Sequence, residues 1–61
     1  MRTVAEIVEN TNAIRHWIDV QIRDGRDDDW IVAMLPHAAA FICGDLGHAA
    51  LLELLHEARR S

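Results

Sequence analysis

Val4, Ile7, Val8, Thr11, Ile14, Ile18 and Ile22 recur at spacings of three and four, while Glu9, Asn12, His16, Asp19 and Arg23 fall between them. That period sets the apolar positions on one face of a helix and the polar positions on the other. The pattern predicts an amphipathic helix over Thr3–Arg23, with Trp17 at the edge of its apolar stripe. Thr3-Val4-Ala5-Glu6 fits the capping box, in which the Thr hydroxyl and the Glu carboxylate satisfy free amide protons at the helix start. Gly25 follows the last periodic position and suits the C′ site, because it accepts positive φ.

The pattern then changes. From Trp30 to Cys43 nearly every side chain is apolar, which predicts a second helix covered on all sides, with Asp27, Asp28 and Asp29 as its cap and first turn. Pro36 interrupts the run. An interior proline removes a hydrogen bond and crowds the preceding turn, so the element is expected to kink or, more in keeping with the pattern, to split in two with Pro36 opening the second piece. Gly44 is expected to close helix 2 and Asp45 to cap helix 3. Leu46, Ala50, Leu51, Leu54, Leu55 and Ala58 form the expected core face of helix 3, and Glu53, His56, Glu57 and Arg60 face water. Leu52 and Ala49 widen its apolar arc, and with part of the Trp30–Phe41 run they are not all expected to be buried in a three-helix monomer unless helices 1 and 3 cover both sides of helix 2. The expected architecture is all-α: a small three-helix bundle over 1–61, or four helical segments if Pro36 splits helix 2, with helix 2 as the middle layer.

Size limits what such a chain can do. At 61 residues there is room for one core, and a lone domain of this length is only marginally stable. Cys43 is the only cysteine, so no intramolecular disulfide can form and a reducing, cytoplasmic setting is expected. Ten carboxylates oppose six Arg, with no Lys and a net charge of −4. This disfavours direct contact with nucleic acid or with an anionic membrane. The N-terminal residues show no apolar run of the kind a signal peptide carries. The apolar stretch of helix 2 falls short of the ~20 residues that span a bilayer.

Three chemical readings are weak. Glu53/His56, Asp45/His48 and His16/Asp19 share the i,i+3 spacing of carboxylate–histidine metal sites, but Glu53 and His56 fall on the polar arc and no further Glu converges on them. Cys43 reads better as a small buried hydrophobe than as a nucleophile. A helix-turn-helix reader would place His48–Arg59 in the major groove, yet that segment offers leucines and glutamates where base-reading side chains are needed. Neither enzyme activity nor a cofactor or metal is expected.

The segment Asp24-Gly25-Arg26-Asp27-Asp28-Asp29 holds four carboxylates in six residues. In an antiparallel hairpin Asp19 joins them at one corner, with Arg23, Arg26 and the Arg59/Arg60 pair close enough to offset part of the charge. Glu6 and Glu9 form a second acidic area at the opposite end, near Asp45. Helix capping and solubility account for one or two aspartates; a surplus would be available to a basic partner. With its all-helical layout and these clusters, the chain resembles the small phage-encoded anti-CRISPR inhibitors. That resemblance implies stoichiometric inhibition of a basic nucleic-acid-binding protein or complex, such as a CRISPR effector, by DNA mimicry. Asp24, Asp27, Asp28 and Asp29 would be phosphate-like contacts, with Glu6, Glu9 and Asp19 in support. The alternative is a structural adaptor that homodimerises or docks through apolar surface of helices 2 and 3.

Overall fold

The computed structural model describes residues 3–42 and 46–60. Three helices follow one another, α1 (Val4–Arg23), α2 (Asp28–Ile42) and α3 (His48–Arg60), and each packs against the other two. The expected small three-helix bundle is therefore the fold. Its core is a single cluster of Ile14 and Ile18 from α1, Ile31, Leu35 and Ala39 from α2, and Leu51, Leu54 and Leu55 from α3. Trp17, Ile22, Trp30, Val32, Ile42, Leu46 and Ala58 pack around it.

Local chemistry sets most of the helix ends. The Thr3 hydroxyl accepts from the Glu6 N–H at 3.2 Å, one arm of the expected capping box. At the other end Gly25 has φ +82°. Its N–H donates to the Ile22 carbonyl, and the Arg26 N–H donates to the Gln21 carbonyl, both at 3.1 Å. This bond pair is a Schellman motif with glycine at C′. A Cβ at Gly25 would meet nothing within 4 Å, so the glycine is required by its backbone angle and not by crowding.

Three expectations need correction. First, α2 runs unbroken through Pro36. Ile31, Leu35 and Ala39 are buried at a spacing of four on both sides of it, so both halves are anchored in one core and the helix is not split in two. Pro36 itself is exposed, which lets water replace the amide donor that the Val32 carbonyl has lost. Second, α2 is not covered all round: Met34 is 38% and Phe41 93% exposed, because two neighbouring helices shield only part of its circumference. Third, α3 begins at His48, with Leu46 and Gly47 outside it. The Gly47 carbonyl accepts from the Leu51 N–H, which makes Gly47 the N-cap, a site glycine tolerates. Leu46 then stands at N′ and Leu51 at N4, both lining one small cavity, as in a hydrophobic staple. The expected roles of Cys43, Gly44 and Asp45 lie outside the described residues.

The apolar stripe of α1 is likewise covered only in part. Val4, Ile7 and Val8 are 77%, 47% and 52% exposed, and Ala50, expected in the core face of α3, is exposed. Burial in this bundle is concentrated from Ile14 onward along α1.

Because Pro36 is an exposed interruption of a continuous helix, Pro36→Ala restores a hydrogen bond and relieves crowding. It should stabilise the fold by about 1–3 kcal/mol, raising the melting temperature by about 4–8 °C for each kcal/mol in a domain this small. A melting temperature that is unchanged or lower would contradict the uninterrupted α2.

Candidate functional site

The turn between α1 and α2 brings Asp24, Asp27, Asp28 and Asp29 together, as the sequence leads one to expect, but their oxygens do different things. Asp27 Oδ1 accepts from the Trp30 N–H at 2.8 Å; this carboxylate is the N-cap of α2. Asp28 Oδ1 accepts from Arg59 Nε at 2.8 Å and also from Arg59 Nη2. The pair ties the start of α2 to the last turn of α3, 31 residues later. Both partners are roughly half exposed, so the contact is screened and modest in energy. Arg15 and Glu57 make a similar exposed pair between α1 and α3, at 3.5 Å.

Apart from Glu53 on α3, the remaining described carboxylates are different. Asp19, Asp24 and Asp29 are exposed, as are Glu6 and Glu9. Among the described residues none of these five side chains accepts a hydrogen bond or joins an ion pair. Glu9 and Asp19 lie with Asn12, His16 and Arg23 on the outer face of α1, at spacings of three and four. Asp29 begins the outer face of α2, followed by Ala33, Pro36 and Ala40, all exposed. The anionic surface is thus spread over two helix backs and the turn between them, and Glu6 lies at the far end of α1.

Other candidates fare less well. Glu53 and His56 are exposed and share a surface depression with Arg59 and Arg60, cationic neighbours that disfavour a metal ion. Among the described residues no three His, Cys, Asp or Glu side chains are grouped as a metal site would need. No described helix is long and apolar enough to cross a membrane.

One surface was not foreseen at this place. Trp17, Met34, His37, Ala38, Phe41 and Ile42 line a shallow groove of about 280 Å3 between α1 and α2. It continues toward the turn through Trp30, whose ring stacks on Trp17 with centroids 6.3 Å apart. Arg26 completes the line, its guanidinium 4.5 Å from the Trp30 ring centroid, a cation–π contact. The sequence signalled an apolar excess on helices 2 and 3. The excess instead emerges on the α1 side of α2, because Met34 and Phe41 point away from the core positions Leu35 and Ala39.

Comparison of the chain with family models, with curated proteins and with solved structures yields no match in any of the three. The functional reading therefore rests on the surfaces just described.

The division of the aspartates can be measured. Asp27→Ala should cost about 1 kcal/mol through loss of the cap, a drop of several degrees in melting temperature at any ionic strength. Asp28→Ala should cost roughly 0.2–1 kcal/mol, and that loss should shrink in high salt. Equal, salt-independent losses would contradict the assignment.

Proposed function

We propose that the chain is a non-catalytic interaction protein that meets a basic protein surface with its unengaged carboxylates. The observation that carries this reading is the surplus. After Asp27 has capped α2 and Asp28 has paired with Arg59, six exposed carboxylates remain without a hydrogen bond or ion pair among the described residues: Asp19, Asp24, Asp29, Glu6 and Glu9 on α1, α2 and their turn, and Glu53 beside Arg59 and Arg60 on α3. Folding uses part of the acidic cluster and leaves the rest. A rigid helical scaffold holding these groups suits recognition of a groove built for phosphates, and opposite fields would speed the encounter. The narrower version is an inhibitor of a nucleic-acid-binding complex that acts as a DNA mimic, as in the anti-CRISPR proteins it resembles. It rests on the same side chains. Within it the contact set becomes Asp19, Asp24, Asp29, Glu6 and Glu9, with Asp27 and Asp28 serving the fold.

A second reading, an adaptor that docks through apolar surface, is favoured by one observation, the almost complete exposure of Phe41 beside the Trp17–Met34 groove. The two readings use mostly different faces.

The acidic reading is tested by capturing proteins from a cell lysate on the immobilised chain at about 50 mM and about 300 mM salt, where screening differs strongly. A basic protein should be held only at low salt and should be displaced by duplex DNA. Asp24→Lys with Asp29→Lys should abolish capture while leaving the melting temperature within a few degrees of the parent. Capture that survives this double reversal, or that DNA does not compete, would end the reading.

A further inference from the structure

We infer that the α1/α2 groove face is the contact surface of a homodimer in which two copies lie antiparallel across a twofold axis near Met34. This inference does not rest on the acidic reading.

The face is continuous and long. On α2 it comprises Trp30, Met34, Ala38 and Phe41, at spacings of four, four and three. On α1 it comprises Glu6, Asn10, Ala13 and Trp17, at spacings of four, three and four. The shared groove and the Trp17–Trp30 stack join the two strips at Trp17, and the helical spacing carries the α1 strip on from there to Glu6. Apolar groups fill its middle, and Phe41, at 93% exposure, is the side chain with most to gain from being covered. A stable interface takes roughly 800 Å2 from each partner, about a fifth of this chain's 4346 Å2. One side of a three-sided bundle supplies that area.

Charge selects the occupant and its direction. At the turn end the face finishes in Arg26, whose guanidinium stands over the Trp30 ring and joins no ion pair among the described residues. At the other end it finishes in Glu6, exposed and with Glu9 close by on the next turn. The hairpin sets the start of α1 beside the end of α2, so the midpoint between Arg26 and Glu6 falls near Met34. A twofold axis there brings Arg26 of each copy over Glu6 of the other and lays Phe41 against the partner's Trp30. A parallel pairing would stack like charges at both ends. The self-complementary order of cation, aromatic strip and anion suits a second copy of this chain, since an isologous interface must match itself. Asp29, Glu9 and Asp19 lie on outer helix faces and stay uncovered, so the dimer leaves most of the anionic surface free.

The test is sedimentation equilibrium at about 100 µM, read against the monomer mass of 6.9 kDa. The parent should weigh twice the monomer. Phe41→Asp should be monomeric with the helical circular dichroism retained. Arg26→Glu and Glu6→Arg should each dimerise at least tenfold more weakly, because each places like charges together twice. Mixed in equal amounts, these two variants should form a heterodimer of near-parental affinity, since both end contacts then pair opposite charges. A parent that stays monomeric would overturn the inference, as would a dimer indifferent to Phe41→Asp or a mixture that dimerises no better than its components. Should Phe41→Asp lose its helical signal, the mixed-variant experiment decides alone.

Discussion

Burial of Ile14 and Ile18 against Ile31 and Leu35 is the interaction on which the rest of this molecule depends. These are its four most completely buried large side chains, and they join the two arms of the first hairpin. Three leucines of α3 close the cluster. With so few side chains out of water, each contributing ~1.5–3 kcal/mol against the conformational entropy of ordering the chain, the bundle has little stability in reserve. Its caps and end pairs matter more than they would in a larger domain. The continuity of α2 follows from the same cluster, because residues on both sides of Pro36 are anchored in it.

What the sequence made legible was what depends on neighbours along the chain. The ends of α1 and the start of α2 were readable because Thr3, Gly25 and Asp27 act on amides and carbonyls a few residues away. Coverage was readable only in part. Val4, Ile7 and Val8 continue the period of α1 faultlessly, yet they stay exposed, since periodicity shows which face could be buried and not whether anything lies against it. The start of α3 was misplaced for a related reason: Asp45 is the better capping residue in isolation, whereas Leu46 next to Leu51 favours an entry at Gly47. That part of the Trp30–Phe41 run would stay uncovered was readable, but not that Phe41 is the side chain left outside.

The acidic cluster illustrates the same limit in charged side chains. Asp27 and Asp28 are adjacent and chemically identical, but one satisfies an amide three residues on and the other a guanidinium on a different helix. Only the first duty could be inferred from spacing. Asp24 and Asp29, one on each side, are left to solvent. The surface then divides into an anionic part on the helix backs and an apolar seam between α1 and α2 that ends in opposite charges. If the homodimer inferred above forms on that seam, a chain with so thin a core is one whose folding and association should be linked.

The most direct test of that linkage is the thermal unfolding midpoint followed over protein concentrations from about 5 µM to about 500 µM. If association stabilises the folded chain, the midpoint climbs steadily with concentration, as mass action requires. A midpoint that holds constant across that range would show a bundle standing on its own core without association, and would contradict the account.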